Sequence, residues 1–538
     1  MSIGSKIVLV ICIIITIVSC RKQETSWDID GAVPIARSHL NLANFFSDSI
    51  FNPDNNGLLH IAFTRELLNY TMDSIAKLPD TTVKVSFISF LPSTALSPNT
   101  LVFSNNSSTD KEITFDVANG VELNKAIVRN GGLSIQFKNT YTQPLRFVYV
   151  INSATLWGNP LKIDEVIPAG STSTPKIITK YYPLDGYTIS LTGLNNNKVN
   201  TLVQTYTIST DASGVADNLT IGQGFEALMS FKKVVPEYVQ GYFGNQKLTQ
   251  QPDSQAINLF SNFKPSNLVL TQAAINFRIV NEFGAELTSS IKQLKSIKQN
   301  PYGYITLNSG SLLSPINVNR AGKTNNSSNP VFPFVKQINI NTNNSNLNPF
   351  LENLPDLLGY SVEAELNPLG NISAGNDFAY YGRGLKVFAD VDIPMQISAN
   401  SFYLQSFSKA DLSNLSELNN VNYGEVILQA QNNYPFEAKL QGYILNEQNT
   451  VIDSLFNSSN NTIPAALTDI NNNVLNYTNS KLTVDLNEAK LANLKLCKQI
   501  KFVIRLILPN QPTSIKLMDS SYLDLILSAN VNYKVRIK

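Results

Sequence analysis

Three stretches share one pattern of apolar and polar positions. The first runs from Gly132 through Ile135 and Phe137 to Asn139, and after four residues continues at Pro144-Leu145-Arg146-Phe147. The second is Ile275-Asn276-Phe277-Arg278-Ile279-Val280-Asn281, followed by Glu282-Phe283-Gly284-Ala285-Glu286-Leu287. The third runs from Gly424 through Val426, Leu428 and Ala430 to Asn432, then Asn433-Tyr434-Pro435-Phe436. In each, apolar residues alternate, the run stops at an Asn, and an aromatic and a Pro or Gly precede a second apolar run. Period-two alternation marks a strand with one buried face. Asn, Pro and Gly between two such runs mark a chain reversal. The pattern predicts three strand–turn–strand units. Beyond the third turn, Phe436, Ala438 and Leu440 should face a core, with Glu437, Lys439 and Gln441 towards solvent.

Asn139, Asn281 and Asn432 recur at similar intervals, the mark of duplicated units. The expected fold class is mainly β: tandem β-sandwich-like domains with few short helices. The expected divisions are a β region over 27–120, a first β unit over 121–210, a middle β domain over 211–385 and a C-terminal β-sandwich over 386–538. Gly186-Tyr187-Thr188-Ile189 and Gly359-Tyr360-Ser361-Val362 form a second recurring pair. The second copy of the main pattern is the weakest, because Leu287-Thr288-Ser289-Ser290-Ile291 alternates poorly. Helix signals are confined to Asn348–Leu358, interrupted by Pro355, and to Asp485–Leu494, with Asp485 as N-cap and Glu488 three residues later. Strands over Lys501–Leu508 and Leu523–Ile537 should close the chain.

Charge changes the picture by its scarcity. Of 538 residues only 15% are charged, 41 basic against 40 acidic. A neutral chain lacks the basic footprint of a nucleic-acid binder. Asn, Ser and Thr supply the polar surface, as in Thr324-Asn325-Asn326-Ser327-Ser328-Asn329. Such clusters suit turns and fit an extracytoplasmic β-protein better than a helical enzyme.

Lys6 precedes an unbroken apolar run from Ile7 to Val18. It is shorter than the roughly 20 residues of a membrane-spanning helix and fits the apolar core of an export signal. The run ends at Ile17-Val18-Ser19-Cys20, which resembles the bacterial lipobox. That resemblance implies removal of residues 1–19, lipidation of Cys20 as the mature first residue, and a tether over 20–26. Cys occurs only three times, and Cys12 leaves with the signal, so no intramolecular disulfide remains for Cys497. Cys497 fits a small buried residue. A catalytic thiol needs a basic partner, and the chain holds only His39 and His60.

Trp27 and the following Asp28-Ile29-Asp30-Gly31-Ala32-Val33-Pro34-Ile35, just beyond the Cys, resemble the opening of large uncharacterised outer-membrane lipoproteins of Bacteroidota. Leu351-Glu352-Asn353-Leu354-Pro355-Asp356-Leu357-Leu358-Gly359-Tyr360 and the Ile393-Pro394 strand resemble the same group. The resemblance implies class and location only: an outer-membrane protein held by its lipid. Surface-exported lipoproteins of this lineage resemble one another in an acidic run just after the Cys, and Arg21-Lys22-Gln23-Glu24 supplies one acid only, so the periplasmic side is slightly preferred over the outer. Asp28/Asp30 and Asp390/Asp392 share spacing ahead of a Pro, as at an edge-strand opening with solvated acids. Asn52-Pro53-Asp54-Asn55-Asn56-Gly57 fits a tight turn, lacking the spaced donors and distal Glu of a calcium loop.

The search for chemistry returns little. Ala321-Gly322-Lys323-Thr324 mimics the end of a phosphate loop, but Asn317 stands where the first Gly is required. Hydrolase and zinc motifs are absent from the sequence. Trp157 fits a strand-end core residue better than a sugar platform. Asp-Ser/Thr triplets at Ser49, Ser74, Thr81 and Ser454 resemble the O-glycosylation site of Bacteroidota export proteins. The reading is therefore a non-enzymatic, cofactor-free, lipid-anchored structural or accessory subunit of an envelope assembly. Its partners would be the membrane and other envelope proteins, not nucleic acid. The alternatives are a binding protein holding an apolar ligand between β-layers, lined by Phe137, Phe147, Tyr149, Tyr181 and Tyr182, and a carbohydrate-active surface protein.

Overall fold

The computed structural model describes residues 25–41, 51–105, 111–257, 264–410, 421–470, 472–507 and 514–537. Cys20 and Ser49 lie outside them. Of the strands that build the main layers, three come first: β1 (Thr25–Asn41), β2 (Leu59–Thr71) and β3 (Thr81–Ile88). Seven follow: β4 (Leu101–Ser104), β5 (Glu122–Asn139), β6 (Leu145–Leu156), β7 (Asn159–Ile167), β8 (Lys176–Pro183), β9 (Thr201–Thr210) and β10 (Gly224–Tyr242). The next seven are β11 (Gln246–Ala256), β12 (Ala274–Asn281), β13 (Leu287–Gln299), β14 (Tyr302–Thr306), β15 (Phe334–Asn341), β16 (Leu357–Leu366) and β17 (Gly384–Pro394). The last seven are β18 (Ser401–Lys409), β19 (Val421–Asn432), β20 (Glu437–Leu445), β21 (Val451–Ser454), β22 (Thr478–Asp485), β23 (Gln499–Ile507) and β24 (Tyr522–Ile537).

These strands build one topology three times. The first sandwich pairs β8-β5-β10-β3 in one layer and β7-β6-β9-β4 in the other. The second pairs β15-β12-β17-β2 and β14-β13-β16-β11. The third pairs β22-β19-β24-β1 and β21-β20-β23-β18. Every ladder is antiparallel. In the first sandwich the short strand Thr188–Ser190 pairs with both β5 and β6, sewing the two layers into one sheet. The fold class is mainly β, as the pattern predicts.

The division of the chain differs from the sequence expectation. Residues 27–120 do not form a domain, because β1, β2 and β3 each complete a different sandwich, the third, second and first in that order. The first sandwich is thus inserted between β2 and β11 of the second, and the second between β1 and β18 of the third. The expected boundary at 210 cuts β10 away from its partner β5, and that between 385 and 386 falls inside β17. Sequence proximity misleads here because the closing strand of two sandwiches is supplied from far upstream.

The three turns are arches between layers, not hairpins. β5 and β6 do not pair with each other and share only the short strand Thr188–Ser190, while β12 and β13, and β19 and β20, share no ladder partner. In each arch the Asn is fully buried. Its side-chain carbonyl accepts the N–H of the aromatic two residues on: Tyr141 at 2.8 Å, Phe283 at 2.9 Å and Tyr434 at 2.9 Å. Its Nδ2 donates to the carbonyl four residues on, Gln143, Ala285 or Phe436. The same nitrogen also reaches the loop after β7, β14 or β21, at the carbonyl of Pro168, Asn319 or Pro464. The residue after the Asn donates its N–H to the first residue of β10, β17 or β24, each at 2.9 Å. Asn suits the position because one amide carries both a donor and an acceptor group. Buried without these partners, the arch backbone would lose about 1–3 kcal/mol per orphaned group.

Packing follows the alternation. Phe436, Ala438 and Leu440 are buried, Lys439 is exposed, and Glu437 and Gln441 are half-buried at the layer margin. The poor alternation of β13 has a cause: Ser289, Ser290 and Ile291 are all buried, and a register shift follows between Ile291 and Gln293. The helix near 488 spans Glu488–Lys495 and is capped by Asn487, whose side chain accepts the Lys490 N–H. Asp485 is not the cap, because it ends β22 opposite Glu425. The other expected helix is limited to Leu347–Glu352. Gly186 and Gly359 are not equivalent: Gly359 lies inside β16, and the matching strand of the first sandwich is β9.

The sandwiches join end to end. Between β16 and β17, Asp377–Tyr380 pairs with Tyr238–Gly241 at the far end of β10, linking second to first. Between β23 and β24, Ile515–Lys516 pairs with Gln396–Ile397, linking third to second. The Leu59 N–H donates to the Leu517 carbonyl and the Leu517 N–H to that of Met395, each at 2.9 Å. Both joints use the arch end of one sandwich and the opposite end of the next.

Candidate functional sites

The chemistry-bearing side chains are dispersed through this frame. Among the described residues, no three His, Cys, Asp or Glu side chains gather as they would around a metal ion. His39 on β1 meets Asp524 on β24 at 2.6 Å and stacks on Tyr522. His60 on β2 meets Asp392 on β17 at 2.7 Å. Each is a cross-strand pair that fastens a closing strand to its neighbour. Asp390 is not a solvated edge acid, because β17 is an inner strand. Burial pulls its carboxyl upward, yet hydrogen bonds from Arg278 and Thr64 hold it below the ordinary range. Asp28 and Asp30 do lie on an edge strand, β1. Asp54 closes its turn by accepting the N–H groups of Asn56 and Leu58, as a tight turn requires.

Cys497 is buried, and desolvation pushes its thiol up to about 11. It is therefore a poor nucleophile at neutral pH. Gly322–Lys323 is one arm of a short hairpin with Val331–Phe332, not a phosphate loop. This hairpin lies against the first sandwich. The Lys323 ammonium donates to the Tyr238 hydroxyl at 2.6 Å and sits over the Phe378 ring at 4.7 Å. Burial lowers Lys323 and raises Tyr238 to about 12. The cluster seals the joint between the first two sandwiches.

Phe137, Phe147 and Tyr149 are fully buried, and their rings pack on one another and on Phe225. They fill the core and do not line a ligand cavity. Tyr181 is exposed and Tyr182 half-buried on edge strand β8. The apolar cavity between Ile61, Leu268, Leu351 and Met395 measures about 10 Å³, too small for a lipid chain. A cleft of about 740 Å³ lies beside the segment joining β2 to β3. Asp73, Asp80 and Asp116 line it with Lys77 and Lys233, and no aromatic ring is among its lining residues. Asp80 is already engaged by the Lys233 N–H. Asp73 and Asp116 remain in a lining that holds no aromatic platform for a sugar ring.

Trp157 departs from the sequence expectation. It is 92% exposed at the tip of the β6–β7 hairpin, with φ at +50° and Gly158 following at +84°. The two-residue turn needs positive φ at both positions, which selects backbone geometry over burial. Of the modification candidates, Ser74 is exposed on the turn Met72–Ile75, whereas Thr81 and Ser454 are half-buried within strands.

No protein-family model matches the chain, and no curated protein sequence matches it. Among solved structures it is similar to a protein of Parabacteroides distasonis ATCC 8503 described as a candidate secreted protein. That match has 10% identity and a TM-score of 0.28, over 94% of this chain and 99% of that one. A fainter likeness, at 10% identity and a TM-score of 0.11, is to the VP2 subviral particle of infectious bursal disease virus, covering 86% and 81% of the two chains. Shape agreement this low transfers no function.

Proposed function

We propose that this chain is a non-enzymatic, lipid-anchored structural or interaction protein of the bacterial envelope. In this reading Cys20 carries the lipid on the outer membrane, periplasmic side, and the three sandwiches hold a surface away from the bilayer. The observation that carries it is the pairing of β1 with β24 from Thr25↔Ile537 to Asn41↔Tyr522. An anchor at Cys20 would hang from the end of the third sandwich opposite its arch, and the two joints would then carry the second and first sandwiches outward. The dispersal of titratable side chains into cross-strand pairs supports a scaffold over a catalyst. In the test, wild-type protein takes up a labelled acyl chain, and Cys20→Ala accumulates as unprocessed precursor. An unlabelled wild type overturns the reading. Protease shaving of intact cells decides the side of the membrane, degradation pointing to the outer one.

A further inference from the structure

Among the described residues the arch end of a sandwich is covered twice and left open once. In the third sandwich it receives the second, and in the second it receives the first. In the first sandwich the corresponding insertion between β3 and β4 is a short loop, 89–100. Its Ser93–Leu96 strand pairs with Asp217–Thr220 from the β9–β10 loop. The short strand that makes each joint is therefore present at the arch end of the first sandwich as well, with no further sandwich beyond it in the described chain.

The consequence appears at matching positions. The strand that starts at the arch end in the second layer begins with Gln246 in the second sandwich, 7% exposed, and Ser401 in the third, 0% exposed. In the first it begins with Leu101, 59% exposed. Around Leu101 the same end shows Ile88, Phe90, Leu91, Val215 and Ile221, all exposed. Backbone bonds between Ser89 and Gln223 and between Gly222 and Ser89 hold the two apolar loops side by side. Contiguous exposed apolar groups at one end of a soluble domain mark an interaction surface.

Composition narrows the occupant. The four loops here, 89–100, 140–144, 168–175 and 211–223, contain two charged residues, Asp211 and Asp217. Both are spent internally: Asp211 accepts from Ser213, and Asp217 from Thr142 and Gln143. Nothing in these four loops would steer a nucleic acid, an anionic lipid or an acidic polysaccharide. What covers this kind of end elsewhere in the chain is the opposite end of a β-sandwich. A second copy does not fit while anchored, because its own opposite end is tethered to the bilayer by 20–24, a reach of roughly 15–20 Å.

We propose that the arch end of the first sandwich is a docking surface for a different envelope protein, which presents the neutral, apolar end of a β-sandwich. The proposal rests on the anchored reading above. The test places a photo-crosslinking phenylalanine analogue at position 90 of the full chain in living cells, with the same analogue at exposed Phe332 as control. The expected result is one discrete adduct from position 90, its partner peptide mapping to strand ends of a β-sandwich, and no such adduct from 332. Ile221→Asp, and separately Val215→Asp, should cut that adduct at least tenfold. An adduct of twice the chain's mass, a lipid adduct, no adduct, or one unaffected by both substitutions overturns the proposal. Acyl labelling of the same cells separates the two readings. A discrete adduct on an unlabelled chain sinks the anchor and keeps the surface, and a labelled chain without adduct does the reverse.

Discussion

The first and third sandwiches share a topology but differ in how they are closed. In the first, β3 meets β10 within the chain's own neighbourhood, at Phe231↔Thr81. In the third, β24 meets β1 at Thr25↔Ile537, across nearly the whole chain. The arches are alike to the individual hydrogen bond, so the arch is a local device and closure is not. Closing a long loop adds entropy cost only logarithmically, so stability tolerates the arrangement. Folding rate does not, because non-local pairing is slow. The third sandwich is expected to form last.

The largest effect should come from removing 25–41. The third sandwich would lose the partner of β24 and expose core residues such as Ile35 and Leu40. Hydrogen exchange should show protection lost across β19 and β24 and kept in β5 and β10; a uniform loss would mean the sandwiches do not stand apart. Next come the arches. Asn139→Ala, Asn281→Ala and Asn432→Ala each orphan at least two carbonyls and an N–H, about 3–9 kcal/mol at about 1–3 per group. If the arch is local, the three losses should agree within about 1 kcal/mol despite the difference in closure; unfolding of each sandwich in denaturant measures them. Phe436→Ala should cost about 3–5 kcal/mol through its cavity, against less than about 0.5 for Glu437→Ala at the margin. Equal losses would break the assignment of faces in β20. The smallest effect has the opposite sign: Trp157→Asn should stabilise the first sandwich by about 1 kcal/mol or less, since Asn tolerates positive φ better. A loss of stability would show that Trp157 holds a contact.

The strands and the three-fold unit were legible because alternation and the buried Asn are local. Phe137, Phe277 and Phe436 face the core as the period requires. Which strand pairs with which was not legible. β1, β2 and β3 carry ordinary alternation, and nothing in it says that one closes a sandwich beginning near 401. Trp157 was misplaced because turn geometry outranked hydrophobicity. The helix cap moved to Asn487 because ladder pairing claimed Asp485. The sequence reading of a scaffold rests on scarcity, two His and balanced charge, and in the structure each His pairs with an Asp on the neighbouring strand. The open arch end of the first sandwich had no sequence signature, since nothing local to Phe90, Leu91 and Ile221 says which sandwich ends are covered.

Nested closure can be tested by rebuilding the third sandwich alone. β1 and β18 run side by side, with Ser38 Oγ 3.2 Å from Ser406 Oγ and Ser408 Oγ donating to the Arg37 carbonyl at 2.8 Å. A short flexible linker can therefore join residue 41 to residue 401. The chain 25–41 linked to 401–537 should unfold in one cooperative denaturant transition, and 401–537 alone should be markedly less stable or unfolded. If 401–537 alone unfolds at the same midpoint as the linked chain, β1 does not close the third sandwich and the nested architecture is wrong.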